Sequence, residues 1–501
     1  MLFTTSKTTK NLYSEYRRSS IGHEEQAMAN DRHYLGGQWL SGEANVLQVD
    51  NPATEAILTE FNLVSKAQIL SAVKLAKQAQ KAWAKLASYE RATYLHKLAD
   101  QLLLNAEKIG AVLAQESGKS LADAEAEVRY GAEITRYHAE WSRKIEGEII
   151  PSDSPTEQLL LMREPIGVVV CLIPFNYPIY TLLRKLAPAL ITGNTVIIRP
   201  SNHTPCSALA LATALEQAGL PVGVVQIAVM DHAVCETLCR QPEVGMISLT
   251  GSVEAGRQVL DYSKTHIAKV SLELGGKTPA IVADDADLKA VATAIVNSKT
   301  THCGQLCTAV ERVYAQSSIY PQMVVLLRQA LAARQFANRF KHPNAMGPLI
   351  SKQAQTRTHA LVQEAIQAGA SCEVGGYLPE GKGYFYPATL LTNVKHSMRV
   401  IKEETFAPVL CILPYQDLDE ALELANDHQY GLSSVLFTQR YKDVMRVATS
   451  IEAGELYINR TPADPYQGFH AGWKQSGLGG DDGKHGMLEF TQTRMVALNF
   501  A

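Results

Sequence analysis

From Ile166 onward, short apolar runs rich in β-branched residues alternate with segments of helical length, and this alternation limits the folds open to the chain. The runs GVVVCLIP and NTVIIRPS are apolar throughout, as expected for strands covered on both faces. Between them, residues 179–190 have the length and composition of a helix, predicted to end at Gly193. Repeated strand, helix and strand favour a parallel, doubly wound α/β sheet with right-handed crossovers.

The same alternation extends along most of the chain. A helix is predicted from Thr204-Pro205 to Gly219, and strands follow at VVQIAV, GMISLTGS and AKVSLELGG. After Thr278 a second series begins, with PAIVAD, ERVYAQ, TLLTNV and ELYINR as its strands. Upstream, residues 65–144 are predicted to be helical, with Ser65 and Gln68 as a capping box, and residues 146–165 to form strands joined by a loop.

Composition excludes several classes of function. A chain of 501 residues is too long for one simple core, so two or three domains are expected. The formal net charge is -3, without the basic excess of a nucleic-acid-binding protein. The longest apolar stretch, Ile166–Ile173, is far shorter than the roughly 20 residues that cross a bilayer. Residues 1–30 lack the apolar core of a secretory signal and are expected to be a flexible extension.

The cysteines indicate a reducing compartment. Eight cysteines are scattered through the chain, and several lie inside apolar runs such as VVVCLIPF and PVLCILP. We therefore expect packed, reduced thiols in a cytoplasmic protein rather than a disulfide framework. Two pairs, Cys235/Cys239 and Cys303/Cys307, are spaced by four, unlike C-x-x-C zinc sites, and no second ligand pair follows. On spacing, no metal site is predicted.

Two motifs point to a nucleotide without proving one. In MISLTGSVEAG a predicted strand ends at Thr250, and Gly251-Ser252 opens a helix whose free backbone N–H groups form an anion site. The alternative is a strand–turn–helix unit that merely packs through Gly256. In NTVIIRPSN, Arg199 and Asn202 follow a strand at the edge where doubly wound sheets bind nucleotides, although a solvated strand end would look the same.

Two further residues are candidates for chemistry. Glu273 lies in an apolar strand just before Gly275-Gly276, where burial is expected to raise its pKa toward neutrality and suit a general base. Cys307 is predicted to occupy a tight loop before a strand, where a thiolate could act as a nucleophile. Cys303 is predicted to be a packing residue. Taken singly, an exposed glutamate at a strand end and an inert buried cysteine are the more common interpretations of these two residues.

Read in order, the strings PFNYP, GNTVIIRPS, LTGSVEAG, LELGGK, GQLC and EETFAP resemble the aldehyde dehydrogenase superfamily from about Gly36 to Ala497. Within it, AEWSRKIEGEIIPSD and YQGFHAGWKQSGLGGDDGKHG are similar to lactaldehyde and glycolaldehyde dehydrogenases. The resemblance implies an aldehyde dehydrogenase-like α/β fold: a Rossmann-type NAD(P)-binding domain (31–147 and 167–275) and an α/β catalytic domain (276–475). It also implies small β segments (148–166 and 476–501) that bridge subunits into a homodimer or homotetramer.

The resemblance also implies catalytic roles. Cys307 matches the nucleophile that forms a thiohemiacetal and, after hydride transfer, a thioester. Asn176 and the backbone N–H of Cys307 match the oxyanion hole. Glu273 matches the base that activates water for thioester hydrolysis, and Lys185 matches a lysine that assists proton relay.

The cofactor implied is NAD. Glu404 and Phe406 match the residues that hold the nicotinamide ribose and ring, and Ser252 matches the pyrophosphate contact. Where relatives usually have Lys and Glu, this chain has Arg199 and Asn202, so discrimination against NADP should be relaxed. The full cofactor set implied is Pro174, Phe175, Arg199, Ser201, Asn202, Gly251, Ser252, Leu274, Glu404 and Phe406.

The resemblance places the substrate, a small-molecule aldehyde, against Arg184, Thr308, Arg460 and His470. It favours oxidation of a small polar hydroxy aldehyde such as lactaldehyde or glycolaldehyde. The alternative is NADP-dependent oxidation of an anionic aldehyde, of the non-phosphorylating glyceraldehyde-3-phosphate or succinate semialdehyde type, because CTAV resembles such enzymes and Arg460 could bind an anionic tail. Coenzyme A acylation and a non-enzymatic role are both disfavoured because Cys307 and Glu273 occur together.

Overall fold

The computed structural model describes residues 32–501, and an eight-stranded sheet carries the first part of the candidate site. Its five central strands are parallel, as predicted, while both edges pair antiparallel. The edge strands were not predicted, because strands of two or three residues are too short to show a periodicity. The sheet order is Gln38–Leu40, His33–Leu35, Val225–Ile227, Thr195–Arg199, Val168–Leu172, Val244–Thr250, Lys269–Glu273 and Gly477–Leu478.

A separate seven-stranded sheet forms the second layered unit. All its strands are parallel except one edge pair. Two of its inner strands, Val409–Tyr415 and Ser433–Phe437, were not predicted, because a short apolar run buried on both faces does not distinguish a strand from a buried helix. The order is Ser371–Val374, Thr389–Thr392, Val409–Tyr415, Arg312–Gln316, Pro279–Val282, Ser433–Phe437 and Glu455–Ile458.

Three smaller sheets complete the strand set. A three-stranded antiparallel sheet joins Glu148–Ile150, Glu157–Pro165 and Thr491–Asn499, with the long central strand paired along its full length. Two short ribbons pair Val46–Asp50 with Ile57–Asn62 and Tyr430–Gly431 with Trp473–Lys474.

The helices predicted after Ser65, near residue 179 and after Thr204 begin where the sequence predicts. Ser65 and Gln68 form a capping box, and Ser120 accepts the N–H of Asp123 to cap the helix that follows. Short 3₁₀ turns occupy Glu140–Arg143 and Thr301–Gly304. The α-helices are Lys66–Lys85, Ser88–Leu104, Ala106–Ser117, Leu121–Ala139, Pro178–Ile191, Pro205–Gln217, His232–Cys239, Val253–Ser263, Leu288–Thr300, Tyr320–Ala332, Lys352–Gln367, Arg399–Lys402, Leu418–Asn426, Tyr441–Ala448 and Gly483–Glu489.

The eight-stranded sheet is covered by two apolar clusters, one around Val169 and the other around Val168 on the opposite face, and the seven-stranded sheet has its own cluster around Val313. All eight cysteines lie within the described residues and are unpaired, and six of them are buried. No helix between residues 32 and 501 is long and apolar enough to cross a membrane. The predicted extension of residues 1–30 lies outside the described residues.

Candidate active site

Two cavities, of about 710 and 660 Å³, meet at the four residues Asn176, Thr250, Glu273 and Cys307. Thr250 and Glu273 are the last residues of adjacent parallel strands. Asn176 precedes the helix Pro178–Ile191. Because ligands of doubly wound sheets bind beyond the carboxyl ends of the strands, the topology gathers these side chains at one point.

Cys307 lies in a tight turn, as predicted, between the 3₁₀ turn and the strand Arg312–Gln316. His302, Cys303 and Gly304 all have positive φ, and a Cβ on Gly304 would lie 2.6 Å from the carbonyl oxygen of Ala407. Cys303 is fully buried, in agreement with its predicted packing role. The loop is tied to the other side of the site, because Nδ2 of Asn176 donates to the carbonyl of Gln305 at 3.0 Å.

His470 joins the nucleophile candidate to the base candidate. One ligand-capable atom from each of Glu273, Cys307 and His470 lies within 4.8 Å of the other two. Nε2 of His470 is 3.3 Å from Oε1 of Glu273, and Nδ1 is 2.8 Å from Oε1 of Glu455. Asp464 lies further out, at 4.0 Å from Nδ1. The imidazole is therefore surrounded by carboxylates.

The expectation that Glu273 has a raised pKa is wrong. Burial does oppose its charge, but the hydrogen bond and positive charge of His470, with help from Arg184 and Lys185, lower its pKa below the ordinary value. Burial likewise opposes the charge on His470, yet Asp464 and Glu455 raise its pKa well above the ordinary range. Glu273 and His470 are thus an ion pair at neutral pH.

The pKa of the Cys307 thiol shifts in the opposite direction, upward. Burial and the negative charge of Glu273 raise its pKa, while the hydrogen bond from His470 lowers it by a smaller amount. The thiol is therefore protonated before substrate binds, and a carboxylate able to take its proton lies beside it.

Arg184 and Lys185, adjacent on one buried helix, pair with adjacent aspartates. Both Nε and Nη2 of Arg184 donate to Asp482, and the guanidinium lies 4.9 Å from the ring of Tyr180. Nζ of Lys185 is 2.8 Å from Oδ2 of Asp481. Sequence reasoning missed both aspartates. Buried cations do require counter-ions, but that rule does not identify which acids supply them.

The 660 Å³ cavity fits a phosphate-bearing cofactor. It is lined by Gly251 and Ser252 at the start of the helix Val253–Ser263, where backbone N–H groups favour an anion. The hydroxyl of Thr250, at the same place, is buried and has no hydrogen-bond partner among residues 32–501. Glu404 also lines this cavity. A Cβ on Gly275 would come within 2.4 Å of Oε2 of Glu404.

Glu404 belongs to a loop held by Glu311, which sequence reasoning also missed. The carboxylate of Glu311 accepts the backbone N–H groups of Thr405 at 2.9 Å and Phe406 at 3.1 Å. The Nζ atoms of Lys277 and Lys299 lie 2.5 and 2.7 Å from the two oxygens of the same carboxylate. Phe406 has a φ of 51°, which is a strained value for a residue other than glycine. The hydrogen bonds to Glu311 therefore hold the loop in a conformation that the backbone alone disfavours.

Of the other predicted cofactor residues, three lie at or just beyond the end of the strand Thr195–Arg199, and Phe175 packs against Phe406. Nη2 of Arg199 is 3.4 Å from Oδ1 of Asn202, and Ser201 accepts the N–H of His203. The ring of Phe175 lies edge-on to that of Phe406, with centroids 5.8 Å apart. Four of these predicted residues are not among those lining the cavity at Ser252, namely Phe175, Arg199, Ser201 and Asn202.

Two further predicted cofactor residues, Leu274 and Pro174, do not line the cavity at Ser252. Leu274 is buried, and its side chain fills the space beside Gly256. Pro174 lies between the strand Val168–Leu172 and Asn176.

Of the predicted substrate residues, Arg184 and Thr308 line the 710 Å³ cavity. His470 contacts Glu273, which lies at the junction of the two cavities, but does not itself line either cavity. Arg460 is not among the residues lining that cavity. Its guanidinium donates to the carbonyls of Thr461 and Ala463 and lies 5.4 Å from the ring of Tyr457.

A family profile described as the aldehyde dehydrogenase family matches residues 39–496. Lactaldehyde dehydrogenase of Escherichia coli is 43% identical, with 93% of this chain and 98% of that protein covered, and a crystal structure of it superposes with a TM-score of 0.92 over 94% and 99%. A 3,6-anhydro-alpha-L-galactose dehydrogenase of a Vibrio species is 36% identical, covering 93% and 98%. A D-glyceraldehyde dehydrogenase (NADP(+)) of Thermoplasma acidophilum is 32% identical, covering 93% and 96%.

Proposed function

Because this chain belongs to the aldehyde dehydrogenase family, we propose that it oxidises a small polar hydroxy aldehyde, such as lactaldehyde or glycolaldehyde, to its carboxylate with NAD. The observation that carries the proposal is the junction of the two cavities at Asn176, Thr250, Glu273 and Cys307. An aldehyde in one cavity and a cofactor in the other would both reach Sγ of Cys307. The domain division expected from the sequence is part of this proposal.

Cys307 is the proposed nucleophile. Its Sγ bonds to the aldehyde carbon, and its proton passes to the neighbouring carboxylate of Glu273 and then to solvent. Asn176 and the backbone N–H of Cys307 stabilise the oxygen of the thiohemiacetal. When bound, a nicotinamide would accept the hydride. Glu404 and Phe406 would hold its ribose and ring, and Ser252 would hold its pyrophosphate.

Glu273 is the proposed base for hydrolysis of the thioester on Cys307. Its lowered pKa keeps it ionised at neutral pH, so it can take a proton from a water molecule that attacks the acyl carbon. The carbon–sulfur bond then breaks, and the thiol is restored by a proton. Lys185 supports this role through the positive charge that helps lower the pKa of Glu273.

The predicted substrate residues favour a neutral hydroxy aldehyde. Arg184 is already paired with Asp482, and His470 with Glu455 and Glu273, so neither offers an uncompensated charge to an anion. Arg184 and Thr308, which line the 710 Å³ cavity, can still donate a hydrogen bond to a substrate hydroxyl. Arg460, the residue expected to hold an anionic tail, is engaged with carbonyl groups of its own loop.

The second candidate is NADP-dependent oxidation of an anionic aldehyde. The pair Arg199 and Asn202 supports acceptance of NADP, because Asn202 carries no charge to repel a 2′-phosphate. The named substrates of the relatives differ, so the family alone does not choose among them.

A kinetic panel tests the proposal. Lactaldehyde, glycolaldehyde, succinate semialdehyde and glyceraldehyde 3-phosphate are each measured with NAD and NADP, with and without coenzyme A. We expect the highest kcat/KM for a hydroxy aldehyde with NAD, and no acyl-coenzyme A. A preference for the phosphorylated substrate with NADP would replace the first candidate with the second, and Cys307→Ser provides the inactive control.

The three-stranded sheet supports assembly into a homodimer or homotetramer. Its strands expose the apolar side chains of Ile149, Met162, Met495 and Leu498, and an unpaired sheet edge favours pairing with another chain. The reduced cysteines favour the cytoplasm as its compartment. Light scattering that gives the mass of a single chain would contradict the assembly.

A further inference from the structure

We propose that Cys307, His470 and Glu273 form a binding site for a thiophilic divalent cation of the zinc class, whose occupancy blocks Sγ to aldehyde. The three side chains supply a thiolate, an imidazole nitrogen and a carboxylate oxygen, the ligands that zinc prefers. Their ligand atoms already lie within 4.8 Å of one another. This site goes beyond the proposed function, because binding the ion requires neither turnover nor cofactor.

The separation of the ligand atoms fits tetrahedral coordination. Oxygen and nitrogen ligands about 2.0–2.1 Å from zinc are about 3.3 Å apart along the edge of a tetrahedron. Oε1 of Glu273 and Nε2 of His470 are 3.3 Å apart. Sγ of Cys307 must approach both by no more than about 1.2 Å to complete the set, since the atoms lie within 4.8 Å of one another and an edge to sulfur is about 3.6 Å.

The surroundings of His470 match the outer shell of a zinc site. Its Nδ1 lies 2.8 Å from Oε1 of Glu455, so this carboxylate orients the ring and directs Nε2 toward Glu273 and Cys307. An independent observation concerns Glu273, whose carboxylate is 2% exposed. Its second oxygen, Oε2, is buried and has no hydrogen-bond partner within residues 32–501. The carboxylate thus retains unused capacity as a ligand.

The negative charges of the ligands can balance the charge of a divalent ion in this buried site. Zinc binding breaks the S–H bond of Cys307 and the Nε2–H bond of His470 and releases both protons to solvent. Bonds from the metal to sulfur, nitrogen and a carboxylate oxygen replace them. The thiolate and the carboxylate then carry two negative charges against the two positive charges of the ion, so the ion and its anionic ligands are balanced. A water molecule from the 710 Å³ cavity can fill the fourth position.

The test is metal binding by the full-length protein without substrate. Equilibrium dialysis should give one tightly bound zinc per chain, and cobalt in its place should show a thiolate-to-metal charge-transfer band. Cys307→Ala and His470→Asn should each abolish that site, whereas Cys372→Ala, which removes an exposed cysteine, should retain it. Glu455→Gln should weaken binding about 10–100-fold, as outer-shell changes do.

Two measurements on the unaltered protein keep the test independent of variant folding. Zinc should protect Cys307 from alkylation by iodoacetamide, detected by peptide mass spectrometry, and the cobalt band should be present. Absence of the band, unchanged stoichiometry in Cys307→Ala, or alkylation that zinc does not slow would each overturn the proposal. None of these readouts depends on aldehyde oxidation, so failure of the proposed function would be recognised separately.

Discussion

Nε2 of His470 lies 3.3 Å from Oε1 of Glu273, although 197 positions separate the two residues in the chain. This contact sets the charge of the candidate base. Burial alone would favour neutral Glu273, and the imidazolium together with Arg184 and Lys185 outweighs burial, so the pKa of Glu273 is lowered. Asp464 and Glu455 lie near Nδ1 of the imidazole. Their negative charges raise the pKa of His470 and keep it protonated.

Replacement of the base should slow both steps that use its carboxylate, and hydrolysis should become limiting. In Glu273→Gln the thiol proton must pass directly to solvent, and the thioester, once formed, should hydrolyse about 10²–10⁴-fold more slowly, as expected for loss of a general base. Intact-protein mass spectrometry should then show acylated Cys307 after one burst of reduced cofactor. A variant that turns over at the original steady rate would show that another group activates water.

Removal of one partner from the buried Arg184–Asp482 pair should destabilise the fold. Their side chains are 4% and 0% exposed, so Asp482→Asn leaves a desolvated guanidinium whose remaining ion pair, with Asp464, spans 4.0 Å. We expect a loss of about 3 kcal/mol or more in the free energy of unfolding, measured by chemical denaturation. The matched control is Asp419→Asn, which breaks an exposed pair with Arg446 and should cost less than about 1 kcal/mol.

Loss of the charge on Glu311 should loosen the loop that carries Glu404. Glu311→Gln keeps one acceptor oxygen but leaves Lys277 and Lys299 without a carboxylate, so the N–H groups of Thr405 and Phe406 should exchange faster with deuterium. We also expect weaker NADH binding, by about tenfold, because the cost of ordering the loop is added to binding. Glu364→Gln, in an exposed pair with Arg399, should change neither measurement.

A charge at position 202 should change cofactor preference. Asn202→Glu restores an acceptor for the ribose hydroxyls and repels a 2′-phosphate, so the ratio of kcat/KM for NAD to that for NADP should rise at least about tenfold. The neutral variant Asn202→Gln should leave the ratio near its original value. A ratio that is unchanged in Asn202→Glu would place the 2′-position away from this residue.

The pH dependence of stability should carry a contribution from Glu116. This carboxyl is buried and accepts the N–H groups of Cys206 and Ser207, and burial raises its pKa from 4.5 to about 7 in the folded chain. The folded state therefore binds the proton more tightly than the unfolded state, and stability falls as pH rises from about 4.5 to about 7. The contribution is about 3 kcal/mol at most, at 1.36 kcal/mol per pKa unit.

The measurement compares the free energy of unfolding of the unaltered protein and Glu116→Gln at pH 5 and pH 8. The unaltered protein should lose its advantage over the variant at the higher pH. Equal differences at both pH values would mean that Glu116 stays ionised throughout, held by the two N–H groups.

Much of the secondary structure follows from local pattern. The strands Val168–Leu172 and Thr195–Arg199 and the cap at Ser65 were predicted correctly, because apolar runs and capping geometry involve residues close in sequence. The strand Val409–Tyr415 was not, since an apolar run alone leaves helix and strand open. The turn at Cys307 was also predictable from its neighbours.

The sequence by itself therefore determined the α/β architecture, the candidate nucleophile and base, and the family. Only the tertiary structure decided which charges meet. It paired Arg184 with Asp482, placed Glu311 under the cofactor loop and set His470 between Glu273 and Cys307. The physical reason is that side-chain periodicity records only which face of an element is buried. The charge and coordination chemistry of Glu273, by contrast, depend on burial together with partners brought in from distant parts of the chain.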